Sequence, residues 1–266
     1  MQKKYTSKKF IKKKKKKMKW KLILLILFVL MSMSIFFYWM RHSSLNIRKI
    51  DVVENSLSKT SSLEANVSNS LNGNIFFFIP KTNALFFPRF EVQENLKKSF
   101  PEIAAIDIDL KGLHEIEVEI EEYEPKIILE TKNGTFFVNE FGDIFMKTPL
   151  LHSYDDLFVF STEEDDLDIR SNFVDPEFLK SMISFLTNLE SINIKVFGLD
   201  YRNEDVYYVM TDLGFEILVA STDNLEESFK NIKSIIENGA LSEEDLNSVE
   251  YIDLRFGNKV FYKFKG

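Results

Sequence analysis

The segment Leu22–Met40, LILLILFVLMSMSIFFYWM, is nineteen residues long, carries no charge, and constrains everything around it. A helix of that length reaches about 28 Å at ~1.5 Å per residue, close to the ~30 Å hydrocarbon thickness of a bilayer. Trp20 stands just before the segment and Tyr38 and Trp39 close it, where amphipathic rings favour the membrane–water boundary. Twelve lysines precede it, against Arg41, Arg48 and Lys49 just after it, a bias that predicts a cytoplasmic N-terminus. A cleaved signal peptide has a shorter apolar stretch that ends at small residues. Here Ser32 and Ser34 are the only small candidates and six bulky residues follow them, so an uncleaved anchor is expected. The expected layout is a lysine-rich cytoplasmic tail over 1–21, a transmembrane helix over 22–41, and the bulk of the chain outside the cytoplasmic membrane.

Charge supports the same partition. The formal net charge of -7 hides two opposed blocks, because no acidic residue occurs before Asp51. Thirteen of the 34 basic residues lie in the first 41 positions, which leaves 34 − 13 = 21 against 41 acidic ones, or -20, in residues 42–266. The Lys12–Lys17 run beside a membrane span reads as a topology signal that attracts anionic headgroups, and no nucleic-acid partner is expected. The chain has no cysteine, which excludes disulfides, a thiol nucleophile and cysteine-bound zinc. An exported portion of this kind must hold together by its apolar core, for which 45% hydrophobic residues and 26 Phe suffice.

Beyond the span, Leu45–Val53 alternates loosely and predicts a first strand. Leu63, Val67 and Leu71 form a helical stripe in Ser58–Leu71, and Asn72-Gly73-Asn74 supplies a stop. Ile75–Ile79, IFFFI, reads as a short buried extended piece ended by Pro80, and Phe90–Phe100 as a helix with Val92, Leu96 and Phe100 on one face. Ala105–Leu110 and Glu115–Glu121 alternate strictly, placing aliphatics on a core face and carboxylates toward solvent. The predicted fold is α+β, and its first exported domain (45–122) is a β-α-α-β-β unit in two layers. From 123 to 266 short strands dominate: hairpins are expected at Asn133-Gly134, Asp212-Leu213-Gly214 and Gly257-Asn258. Two helices are expected among them, one opened by Asp175-Pro176 and one from Leu225 to Asn238.

No reaction centre stands out. His42, His114 and His152 are far apart with no ligand spacing, and neither a nucleophile elbow, a P-loop nor a zinc-protease helix motif occurs. The glutamates of residues 115–121 share a strand face, but hard-cation sites wrap the ion with turn residues and carbonyls, so a solvated face is expected. The chain is therefore expected to be no enzyme, with no cofactor, metal or small-molecule substrate.

The order of parts is more specific than any one motif. Asn72-Gly73-Asn74-Ile75-Phe76, Ser99-Phe100-Pro101-Glu102-Ile103, EIEEYEPK (119–126), VNEFGDIF (138–145) and YIDLRFGNKVFYK (251–263) follow one another behind a basic tail and one span. In that order they resemble the bacterial cell-division family FtsQ/DivIB, whose first exported unit is a POTRA domain followed by a β domain. The sequence departs from the family pattern in Leu85–Phe90, LFFPRF, which lengthens the connection before the second helix, and in Tyr123-Glu124 where an arginine is common. The resemblance implies a non-catalytic divisome scaffold in the cell membrane, gathered at the septum, that recruits FtsB/FtsL-type membrane proteins. It implies that the partner adds a strand at the end of the β domain, which carried over by position points to Arg255, Phe256, Lys259, Val260, Phe261 and Tyr262. Two other readings compete: a POTRA-containing envelope transport or assembly component, and an envelope sensor or enzyme with a pocket in the β domain.

Overall fold

The computed structural model describes residues 8–41, 43–54, 60–75, 78–148, 157–164, 167–203 and 206–266. The chain divides into two compact units, Met1–Glu121 and Glu122–Gly266.

The first unit opens with α1 (Lys8–Met40), which runs through the described lysines and the apolar segment without a break. Lysine is a good helix former, so nothing in the basic run interrupts the hydrogen-bond ladder. Lys15–Trp39 is long and apolar enough to cross a membrane, and its side chains stand almost entirely exposed. After a short turn come β1 (Lys49–Glu54), α2 (Thr60–Ser70), a small hairpin of β2 (Asn74–Ile75) and β3 (Ile79–Pro80), α3 (Arg89–Ser99), β4 (Ile103–Lys111) and β5 (Glu115–Glu122). The three longer strands form a sheet in the order β1-β5-β4, with β1 parallel to β5 and Val52 opposite Val118. Leu63 and Val67 of α2, Val92 and Leu96 of α3, and Ile108, Ile116, Val118 and Ile120 of the sheet make its core.

Two expectations are revised here. Residues 75–79 do not form a single buried strand; Ile75 pairs antiparallel with Ile79, and Phe78 is 46% exposed. Phe76 and Phe77 lie outside the described residues. The first strand begins at Lys49 instead of Leu45, because the preceding backbone is engaged elsewhere. Ala84 N–H donates to Leu45 O (2.7 Å) and Ile47 N–H to Thr82 O (2.8 Å), while the Leu45 and Ile47 side chains are buried.

The second unit contains β6 (Ile127–Thr131), β7 (Gly134–Val138), β8 (Ile144–Thr148), β9 (Phe158–Thr162), α4 (Pro176–Ser191), β10 (Val196–Asn203), β11 (Val206–Thr211) and β12 (Glu216–Ala220). It continues with α5 (Leu225–Glu237), the single turn α6 (Glu243–Leu246), β13 (Val249–Phe256) and β14 (Lys259–Phe264). The strands form one sheet in the order β14-β13-β12-β11-β10-β9-β6-β7-β8. Helix α4 starts where Asp175-Pro176 predicts: the Asp175 carboxylate accepts from the Glu177 and Phe178 amides, satisfying two N–H groups that the helix itself cannot. Leu179, Met182, Phe185, Leu186 and Leu189 of α4, with Leu225 and Ile232 of α5, pack on one face of the sheet. Ile128, Phe137 and Phe145 are buried on a separate, smaller cluster with Tyr123 and Met146 against them.

The topology contains a repetition that the sequence does not display. Strand β9 crosses over through α4 to the parallel neighbour β10, which turns back into antiparallel β11. Strand β12 crosses over through α5 to the parallel neighbour β13, which turns back into antiparallel β14. Each β-α-β-β unit thus contributes three adjacent strands, and β11 of the first is joined antiparallel to β12 of the second.

Local turn chemistry agrees in part with the sequence. The loop between β6 and β7 is Lys132-Asn133 rather than Asn133-Gly134, since Thr131 faces Gly134 in the register. The Thr131 hydroxyl closes this turn by accepting from Asn133 N–H and donating to Gly134 O. Gly142 is obligatory by contrast: its φ is +77°, and a Cβ there would stand 1.8 Å from the Val174 carbonyl oxygen.

Candidate partner-binding edge

Strand β14 occupies one end of the nine-stranded sheet. It pairs with β13 through Tyr251–Lys263, Ile252–Tyr262 and Asp253–Phe261, and among the described residues no strand lies on its other side. Gly257 at φ +65° starts the two-residue turn that joins β13 to β14, a left-handed first position suited to tight hairpins. Lys265 N–H donates to Ser248 O (2.7 Å), which fixes the side of the strand that faces β13. Peptide groups alternate in direction along an uninterrupted strand, so the amides and carbonyls of Val260, Tyr262 and Phe264 face away from β13. A row of main-chain donors and acceptors in that position is a template for one more strand.

The side chains of the edge are unusually apolar for an exposed strand. Phe256 is 55% exposed, Phe261 50%, Tyr262 40% and Phe264 46%. Phe256 and Phe261 meet edge to face at 5.0 Å, and Tyr262 and Phe264 at 5.6 Å. Val260 is half-buried against the main core, whereas Tyr262 and Phe264, which share its face by strand alternation, are left open. Helix α5 reaches the turn end of the hairpin, where Asn231 Nδ2 donates to Gly257 O. Lys259 is exposed, and Lys263 is paired with Glu250 at 2.6 Å, which raises its pKa.

Five of the six residues inferred from the sequence form the β13–β14 hairpin's exposed end or its partly covered face. Arg255 differs. It falls within the register shift of β13 between Asp253 and Phe256, and its side chain is committed within its own strand. That side chain forks onto Asp253, with Nε donating to Oδ1 (2.9 Å) and Nη2 to Oδ2 (2.6 Å), and the bond raises the Arg255 pKa. Asp253 is only 6% exposed, so the guanidinium neutralises a carboxylate that would otherwise be buried alone. Phe264 was not among the inferred residues although it presents the same exposed aromatic surface as Tyr262. Its place at the end of the predicted strand, two residues beyond Tyr262, was the available signal.

His114 lies in the β4–β5 loop with Nδ1 3.0 Å from Asn46 O, while His42 and His152 lie outside the described residues. Among the described residues no group of three or more histidine or acidic side chains is placed to hold a metal ion. A cleft of about 380 Å³ is lined by Phe173, Asp175, Phe178, Tyr201 and Tyr207, but the Asp175 oxygen aimed at the helix there is occupied as the α4 cap. No protein-family model matches the chain, and no curated protein matches it.

Proposed function

We propose that the protein is a non-catalytic scaffold of the bacterial division apparatus, anchored in the cytoplasmic membrane by α1 with its lysines inside. Its two exported domains recruit small coiled-coil membrane partners of the FtsB/FtsL type, and β14 accepts a strand from one of them. The observation that carries this reading is the open, aromatic edge of β14. Long exposed edges are normally blunted, since they invite pairing with foreign chains. The topological repeat supports the direction of pairing. In the first β-α-β-β unit, β11 is followed in the sheet by antiparallel β12. The equivalent place beside β14 would be filled by an antiparallel partner strand. Main-chain bonds would supply affinity, and Phe261 on one face with Tyr262 and Phe264 on the other would supply selectivity.

The test is capture of an FtsB/FtsL-type partner by the full-length protein in detergent. The wild type retains the partner, and a Phe261→Asp variant with unchanged circular dichroism loses roughly tenfold or more in affinity, about 1.4 kcal/mol. Undiminished capture by that variant removes the site. Membrane topology is tested separately: protease added to intact spheroplasts digests the acidic bulk and spares the lysine-rich end.

A further inference from the structure

Six large apolar side chains stand exposed in the first exported domain, among its described residues: Val53, Phe78, Leu85, Phe86, Phe90 and Leu113. Five of them gather at one end. Leu85 and Phe86 follow Ala84, whose amide is bonded to the carbonyl of Leu45, five residues past the end of α1. Leu113 precedes His114, whose carbonyl accepts from both Arg48 and Lys49 at the start of β1. Phe90 sits in the first turn of α3 between Arg89, which pairs with Asp109 near the end of β4, and Glu91, which pairs with Lys81. Phe78 reaches furthest back, its ring centroid 4.7 Å from that of Phe37 in α1. Phe37 lies three residues inside the end of the helix, about 4.5 Å along its axis. Val53, the sixth, is four residues up β1 from Lys49, about 13 Å away from this end.

We infer that Phe78, Leu85, Phe86, Phe90 and Leu113 form a platform that rests in the outer interface of the lipid bilayer and fixes the first domain on the membrane surface. The inference rests on the reading of α1 as a membrane span. A water-facing end with this composition would expose an aromatic patch with no purpose, whereas at headgroup level aromatic rings and basic side chains are both favoured. Arg48, Lys49, Lys81 and Arg89 supply the basic side chains at the same end, interleaved with Glu91, Asp109 and Glu115. The ring contact between Phe78 and Phe37 sets the level: whatever surrounds the last turn of α1 also surrounds Phe78. The lengthened connection Leu85–Phe90 thereby acquires a role, since it carries three of the five side chains.

The lack of cysteine in the chain permits a direct measurement. Single variants Leu85→Cys, Phe86→Cys and Leu113→Cys of the full-length protein are labelled with an environment-sensitive fluorophore in phosphatidylcholine–phosphatidylglycerol nanodiscs. Lipids bearing a nitroxide near the headgroup are then introduced. Val53→Cys is the exposed apolar comparison, and Leu30→Cys, read with a nitroxide deep in the acyl chain, reports the span. The expected result is blue-shifted emission and quenching several-fold stronger at Leu85, Phe86 and Leu113 than at Val53. Quenching at those sites no greater than at Val53, with Leu30 strongly quenched, overturns the platform and leaves the span intact. Blue-shifted emission without lipid quenching overturns it in favour of a protein contact. An unquenched Leu30 label overturns the span and the platform together.

Discussion

The three-stranded and nine-stranded sheets of this protein solve the same burial problem in opposite ways. In β5 the residues alternate one by one: Ile116, Val118 and Ile120 are buried while Glu119 and Glu121 face solvent. Helices α2 and α3 cover one face, and the carboxylates keep the other wet. In β6 and β7 there is no alternation to speak of. Ile127, Ile128 and Leu129 are all at most 1% exposed, and Phe136, Phe137 and Val138 at most 3%. Such runs are tolerated only where both faces of a sheet are covered, and here two separate clusters cover them. A strand's composition therefore reports how many of its faces are covered more faithfully than it reports the strand itself.

That contrast can be broken or sharpened by substitution. The largest effect is expected at Phe160, fully buried in β9 between β6 and β10. Phe160→Ala should cost about 3–5 kcal/mol in the second unit's unfolding, measured by chemical denaturation. In the first unit, Ile116→Ala should cost about 2–4 kcal/mol, while Glu119→Ala on the opposite face of the same strand should stay within about 0.5 kcal/mol. Equal losses at Ile116 and Glu119 would mean that the carboxylate face is covered after all. Asp175→Ala removes the α4 cap and should cost about 1 kcal/mol, with Asp175→Asn restoring most of it. The smallest effect concerns pH and the short helix α6. The Ser242 hydroxyl and amide hold the Asp245 carboxyl below its ordinary value of 3.8. A depressed folded value means that this contribution is present at and above the ordinary value and is lost as pH falls through the lower folded one. Amide exchange around 242–246 should therefore quicken only at strongly acidic pH, and Asp245→Ala should abolish that dependence.

Much of the fold was legible because local pattern and tertiary burial agree. The alternation of 115–121, the stripe Leu63–Val67 and the Asp175-Pro176 cap each state their element without help from the rest of the chain. Strand β10 was not legible. Its sequence VFGLDYRN has no period, contains a glycine and three strongly polar residues, and is held extended by β9 and β11 with two register shifts. Gly198 is needed there because a Cβ would lie 2.9 Å from the Val159 carbonyl oxygen, a requirement set by the neighbouring strand. The start of β1 failed for a similar reason: Leu45 and Ile47 are buried as a strand's would be, but their backbone bonds go to residues 82–84. At the candidate edge the hairpin Tyr251–Phe264 was readable from its turn and apolar residues. That β14 is outermost was not, since strand order depends on two crossovers whose helices say nothing about which neighbour they lead to. Arg255 shows the same gap, because its commitment to Asp253 is a matter of side-chain geometry.

The spacing of the lysines in β14 carries a consequence for self-association. Two copies of the chain meeting antiparallel along this strand, with one Phe261 against the other, would set each Lys259 opposite a Lys263, because the two lysines are equidistant from the ring. Like charges directly opposed across a ladder disfavour pairing. The doubled register that sets ring on ring at Phe261 is therefore one that repels, while a foreign strand bearing acids at the matching positions meets no such barrier.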